Sequence, residues 1–167
     1  ALGVTPGVIE VVGSTKRAAL LYGNAPSLEP LREALGYFDL VVGSLHPDEE
    51  TSLISAVLSS TGRILIAPRY LSQVKRLFTS LAENGADVAL RTDEQCMGRR
   101  IVIMNTIGEL HAAYGLAPVA IVGGTFGRRG GQNLLEPITM GTSVLFGPKC
   151  ARVSEEADAL IGCGGVQ

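Results

Sequence analysis

Apolar runs alternate with amphipathic stretches along almost the whole chain. Val8–Val12, Phe38–Val42, Arg63–Ala67, Asp87–Leu90, Ile101–Met104, Val119–Val122 and Ser143–Phe146 are short, mostly apolar segments bounded by glycine, proline or polar residues, and they predict about seven strands. Between them the period changes. Leu53, Ile54, Val57 and Leu58 follow helical spacing within Asp48–Leu58, and Pro47-Asp48 stands where such a helix begins. Leu28–Leu35, Leu71–Leu81, Ile107–Tyr114, Asn133–Met140 and Ser154–Ile161 read as further helices. Asn84-Gly85 and Gly141 supply helix-ending signals. Thr92–Arg100 is the most polar connection and reads as a surface loop.

Strands that are apolar throughout, separated by helices, mean a parallel sheet covered on both faces. The predicted fold is therefore α/β, a doubly wound, Rossmann-like domain. In such sheets ligands bind beyond the carboxyl ends of the strands, so the segments that leave each strand are where chemistry is sought. The 167 residues suit one domain.

Composition narrows the choice. The chain is 46% hydrophobic and 18% charged, with a formal net charge of −2, so nothing in the balance calls for nucleic acid. Glycine contributes 21 residues, many of them directly after apolar runs where tight strand-to-helix turns are expected. Cys96, Cys150 and Cys163 show no C-x-x-C spacing, and His46 and His111 are far apart, so no metal site is expected. An odd, scattered cysteine count fits a reducing compartment. No apolar run reaches the ~20 residues of a membrane span, and there is no signal-peptide pattern. Both ends read as cut from something longer.

The strongest local feature is the run from Gly123 to Pro137, Gly-Gly-Thr-Phe-Gly-Arg-Arg-Gly-Gly-Gln-Asn-Leu-Leu-Glu-Pro, which joins a buried strand to a helix. It suits an anionic ligand, with close backbone approach at its glycines, a helix start and the charges of Arg128 and Arg129. The plain alternative, a glycine-rich turn with solvated arginines, carries about equal weight on spacing alone. The run is neither a G-x-G-x-x-G fingerprint nor a P-loop. Glu136, one turn into the helix, can accept both hydroxyls of a ribose, or can simply complement the helix dipole. Other strand ends carry Gly13-Ser14-Thr15-Lys16, Ser44-Leu45-His46-Pro47-Asp48-Glu49-Glu50, Pro68-Arg69 and Asn105-Thr106-Ile107-Gly108-Glu109. Arg69 is suited to an anion, Ser44 or His46 could reach a ligand, and Glu109 could bond a sugar or base. Each also has an ordinary reading as a cap or a surface residue.

Together these segments resemble the C-terminal domain of the 3-deoxy-D-manno-octulosonic acid (Kdo) transferases, GT-B glycosyltransferases of bacteria. Gly123-Gly124, Arg129 through Pro137, Gly141 and Val144-Leu145-Phe146-Gly147-Pro148 follow that family's G-G-[ST], R-G-G-[HQ]-N-x-L-E-P, glycine and V-L-F-G-P pattern. Thr106–Leu110 resembles T-M-G-E-L, Ala67–Tyr70 resembles V-P-R-H, Ser44–Glu50 resembles S-T-H-E-G-E-E, and Gly13–Lys16 falls where the family has G-N-L-K. All occur in the family's order. Tyr70, Asn105 and Ile107 stand where the family has histidine, aspartate and methionine.

The resemblance implies an inverting transfer of Kdo from CMP-Kdo to a lipid A precursor in lipopolysaccharide synthesis, at the cytoplasmic face of the bacterial inner membrane. It implies that Pro68 and Arg69, then Ile107, Gly108 and Glu109, then Asn133, Leu134, Leu135 and Glu136 bind CMP-Kdo. Lys16 would stabilise charge on the departing CMP. Ser44, His46, Gly130 and Gly131 are further candidates. No cofactor is implied. The general base, the lipid acceptor site and the contact with the membrane surface are expected in an N-terminal domain without counterpart here, so this chain alone is expected to bind donor without turning it over. A GT-B domain of another sugar-nucleotide enzyme, such as a UDP-sugar transferase or epimerase, and a non-catalytic Rossmann-like ligand-binding domain are the alternatives.

Overall fold

The computed structural model describes residue 23 and residues 25–163. The expected strand Val8–Val12 and Lys16 lie outside the described residues.

Along the chain come α1 (Glu29–Leu35), β1 (Leu40–Leu45), α2 (Glu50–Ser59) and β2 (Ile64–Pro68). A 3₁₀ turn (Leu71–Gln73) then leads into α3 (Val74–Glu83), followed by β3 (Val88–Leu90) and β4 (Ile101–Ile103). The last elements are α4 (Leu110–Tyr114), β5 (Val119–Val122), α5 (Leu135–Thr139), β6 (Ser143–Phe146) and α6 (Ser154–Gly162).

Among the described residues the strands form one six-stranded sheet in the order β3-β4-β2-β1-β5-β6, and each of their pairings is parallel. Side chains alternate across it. Val41, Leu65, Val102 and Ala120 pack with Leu31, Leu35, Ala113, Leu134 and Ala157, so α1, α4, α5 and α6 cover one face. Val42, Ile64, Ile66, Ile101 and Ile103 pack with Val57, Val74, Leu77 and Leu81, so α2 and α3 cover the other. Both faces of β2 and β4 are buried along almost their whole length, which is why those strands read as unbroken apolar runs. The fold is the predicted doubly wound α/β sheet.

Several boundaries move, each for a local reason. β1 continues through Gly43 and Ser44, the expected stop, to Leu45, whose partner in β2 is Pro68. The register shifts between Val42 and Leu45, and Ser44 there has φ 54°. α2 begins at Glu50 rather than Asp48, because the Asp48 and Glu49 side chains are bonded to backbone across the sheet edge. α4 begins at Leu110 rather than Ile107, after Gly108 at φ 89°. α5 shrinks to five residues, since Asn133 bonds the N–H of Leu135 and so precedes the helix. Thr92–Arg100 is a chain of turns as expected, but Cys96 within it is 4% exposed and belongs to the core.

The chain visits β1 and β2, then β3 and β4, on one side of β1, and crosses to β5 and β6 on the other. The switch point therefore lies between the carboxyl ends of β1 and β5, where a ligand cleft is expected in an open parallel sheet.

Candidate functional site

The four central strands set the site. In sheet order β4, β2, β1 and β5 are neighbours. The segments leaving them, Met104–Glu109, Arg69-Tyr70, His46–Glu49 and Gly123–Asn133, therefore stand side by side along one edge, at the ~4.8 Å strand spacing. Each segment proposed from the sequence, apart from Lys16, is on this edge or just beyond it.

The edge is knitted together by the protein's own carboxylates. Glu49, 3% exposed, accepts four backbone N–H groups. His46 N and Gly124 N donate to its Oε2 at 3.1 and 2.7 Å, and Phe126 N and Gly127 N donate to its Oε1 at 2.8 and 3.2 Å. Asp48 Oδ2 accepts from Arg128 N at 3.1 Å. That bond, chiefly, holds the Asp48 carboxyl below its usual range. The first half of the glycine-rich turn is thus filled by an internal anion, so its amides do not stand open to a phosphate as the sequence suggested. Glu49 is the residue that sequence reasoning missed. It is acidic at a helix start, a place with an ordinary explanation, and three of the four amides it serves lie 75 to 78 residues further along the chain.

The second half of the turn is shaped by close packing. Gly131 has φ 106°, and a Cβ on it would lie 2.4 Å from Val153 Cγ2. Arg152 N donates to Gly130 O, and Gly131 N to Gly124 O, both at 2.7 Å. Gly130 and Gly131 therefore serve first to seat the loop before α6. Asn133 then faces both ways: its Oδ1 accepts from Leu135 N at 3.1 Å and its Nδ2 donates to Glu136 Oε1 at 2.9 Å. Glu136 is held from one side, with Oε2 left for other partners. Leu134 is fully buried in the core, so it can serve a ligand only through its backbone.

The charge of Glu136 reaches the Tyr114 phenol, which burial chiefly, and Glu136 secondarily, drive far above its usual range. Tyr114 lies over Gly43 in β1, which ties Glu136 to the switch point. His111 Nε2 and Thr139 Oγ1, 2.7 Å apart, join α4 to α5.

Arg69 follows β2 directly. Its N–H donates to Leu45 O at 2.9 Å, and its guanidinium lies 5.6 Å from the centre of the Tyr70 ring. Gln73, 4% exposed, braces this corner by accepting from Tyr70 N at 2.9 Å and donating to Leu45 O at 3.2 Å. After β4, Glu109 accepts from Thr106 Oγ1 and forms an ion pair with Arg91 at 3.3 Å. Arg91 is a second residue that sequence reasoning did not single out. Ile107 beside it is 83% exposed, an apolar side chain presented at the ligand edge.

His46 is 2% exposed, with its Nε2 3.2 Å from Gln132 Nε2 and its Nδ1 without a partner. Burial, above all, lowers its pKa from 6.5; Glu49 opposes this, and Arg129 and Arg69 reinforce it. The fold holds the neutral ring, so the unfolded chain binds more protons than the native one as pH falls through 6.5. Stability is complete above that value and declines below it. Urea unfolding at pH 7.5 and 6.0 should show the loss, and His46→Asn should flatten it; an unchanged slope in the variant would remove His46 as the cause.

Beyond β5 and β6, Asp48, Phe126, Gly127, Arg128, Arg129 and Lys149 line an open cavity of about 710 Å³. Among the described residues no cluster of His, Cys, Asp and Glu is placed to hold a metal ion, and no helix is long and apolar enough to cross a membrane.

No family model matches the chain. Among curated proteins it is 32% identical to a 3-deoxy-D-manno-octulosonic acid transferase of Chlamydophila psittaci, over 98% of this chain and 40% of that protein. It is 31% identical to the transferase of the same name from Aquifex aeolicus, over 70% of this chain and 33% of that protein. With that of Bordetella pertussis it shares 35% identity over 60% of this chain and 24% of that protein. The chain therefore spans well under half the length of these relatives. Among solved structures, the C-terminal CMP-Kdo binding domain of WaaA from Acinetobacter baumannii superposes with a TM-score of 0.66 at 19% identity, covering 90% of this chain and 81% of that one. With similarity to Kdo transferases running through nearly all of its length, and with the fold of that C-terminal domain, the chain belongs to the 3-deoxy-D-manno-octulosonic acid transferase family.

Proposed function

We propose that this chain is the donor-binding domain of an inverting glycosyltransferase that passes Kdo from CMP-Kdo to a lipid A precursor. The observation that carries the reading is the order of the strand ends: the segments resembling the family's donor-binding motifs leave neighbouring strands around the switch point of one parallel sheet.

In this reading the ribose hydroxyls of CMP are accepted by Glu136, whose Oε1 is already fixed by Asn133. A carboxylate held on one side loses little freedom when it binds, which favours affinity. Arg69 supplies positive charge at the end of β2 for the phosphate, in a planar fork that matches two phosphate oxygens. The exposed Ile107 and the backbone of Gly108 close over the base, and Glu109, braced by Thr106 and Arg91, offers it an acceptor. The backbone of Leu134 and Leu135 completes the segment. Lys16, outside the described residues, is the proposed partner of the charge that develops on departing CMP. The base and the lipid acceptor are proposed to come from the part of the relatives that this chain does not span. The inner-membrane location belongs to that whole protein.

Glu136→Gln tests the assignment. It keeps the shape and the bond to Asn133 but replaces one acceptor oxygen by a donor. CMP affinity is expected to fall about tenfold or more, since a charged hydrogen bond contributes ~1.5–3 kcal/mol, with the melting temperature little changed. Equal affinity in the variant would move the ribose elsewhere.

A further inference from the structure

The cavity beside the glycine-rich turn is not among the segments assigned to the nucleotide, and its lining has a specific chemistry. Among the described residues that line it, Arg128, Arg129 and Lys149 are cationic and Asp48 is acidic. Among the described residues none of these cations has a carboxylate within salt-bridge distance. The positive charge of Arg129 is felt at His46, as is that of Arg69, so the cavity adjoins the end of β1 and its charge continues toward the end of β2. Phe126, 43% exposed, adds an aromatic face.

The walls are built rather than incidental. Thr125, fully buried, donates through Oγ1 to Val122 O at 2.6 Å and accepts from Gly147 N at 2.8 Å, while its carbonyl accepts from Lys149 N at 2.8 Å. Those bonds fix the segment carrying Lys149 to the turn carrying Phe126 and Arg128. Glu49 and Asp48 hold the same turn from the β1 side through four of its backbone amides, those of Gly124 and Phe126–Arg128. With those amides consumed, the charged groups left to meet a ligand are side chains.

Cations alone would suit any small anion. Cations set beside an exposed aromatic ring and one carboxylate suit an acidic sugar: carboxylate to guanidinium and ammonium, ring C–H groups on the aromatic face, hydroxyl to Asp48. We propose that this cavity receives the carboxylate-bearing sugar of the donor, with Arg128, Arg129 and Lys149 as its anion receptors and Phe126 as its platform. The proposal rests on the donor-binding reading above and adds to it a separate place for the donor's second anion, apart from the nucleotide phosphate.

The test uses nitrogen-15 amide spectra of the whole chain, titrated with free 3-deoxy-D-manno-octulosonic acid and, separately, with its methyl ester. The acid should shift the amides of Phe126–Arg129 and Lys149 with millimolar affinity, and the ester should bind at least fivefold more weakly. The double variant Arg129→Gln, Lys149→Gln, both changes on exposed side chains, should lose the acid's shifts by a similar factor while its CMP affinity stays within twofold of the parent. No shift with the acid, or equal shifts with acid and ester, overturns the proposal. So does a parallel loss of CMP and acid in the variant, because the cavity would then hold the nucleotide phosphate. A parent chain that binds the acid but not CMP would leave the cavity standing and defeat the donor-binding reading instead.

Discussion

Glu49→Ala is expected to destabilise the protein by about 4 kcal/mol, which for a domain of this size lowers the melting temperature by on the order of 10 °C. The carboxylate is buried and accepts four backbone N–H groups from two loops. Bonds to an ionised acceptor are worth about 1.5–3 kcal/mol each in isolation, and they do not add fully because all share one group. Alanine would leave buried donors facing a void too polar to stay dry. Glu49→Gln should lose roughly half as much, since it keeps one acceptor oxygen and turns an amide NH₂ toward two donors. Denaturant melts of the three proteins check the order. A loss under about 1 kcal/mol for alanine would mean that water replaces the carboxylate without cost. Because the same acid holds the turn that leads to Asn133 and Glu136, weaker CMP binding should accompany the lost stability.

Gly123→Ala should cost about 3 kcal/mol, toward the upper end of what an inserted methyl group usually costs. A Cβ there would lie 2.3 Å from Ser44 O, 2.8 Å from Ser44 C and 3.0 Å from Leu45 Cα. All three atoms are backbone of the neighbouring strand, so no side chain can rotate away. β1 and β5 would have to part at the switch point, where Gly123 N donates to Gly43 O at 2.8 Å. Gly85→Ala is the informative control. Gly85 has φ 75° with nothing within 4 Å of a new Cβ, so its cost, about 1–2 kcal/mol, comes from backbone conformation alone. Melts of both variants should rank Gly123→Ala as the worse. The reverse ranking would show that the strands yield more easily than their spacing suggests.

What the sequence could reveal follows from the range of the forces involved. The apolar runs of β1, β2, β4 and β5 are legible because both faces of a central parallel strand must be dry, which is a local requirement on composition. The segments after those strands were recognisable because a parallel sheet places its ligand edge at the carboxyl ends, whatever the ligand. The roles within those segments were less legible. Glu49 looks like any acid in a first helical turn until the sheet brings Gly124 and Phe126 onto it. Leu134 belongs to a motif that suggested ligand contact, yet its side chain is core, since the residue before a short helix can turn inward as readily as outward. Gly130 and Gly131 read as openings for a ligand, and in the structure Arg152 and Val153 are packed against them. Cys96 lay in a polar stretch and is buried, because one apolar side chain suffices to anchor a turn-rich loop. In each case the missing information is a contact between residues distant in sequence, which periodicity and spacing do not carry.

The donor-binding account is tested most directly by calorimetric titration of this chain with CMP, with UMP under the same conditions. The two nucleotides share ribose and phosphate and differ only at one edge of the base, where a donor/acceptor reversal leaves buried polar groups unpaired. The account predicts saturable binding of CMP and at least tenfold weaker binding of UMP. Equal affinity for both, or tighter binding of UMP, would contradict it and favour a site built for another sugar nucleotide.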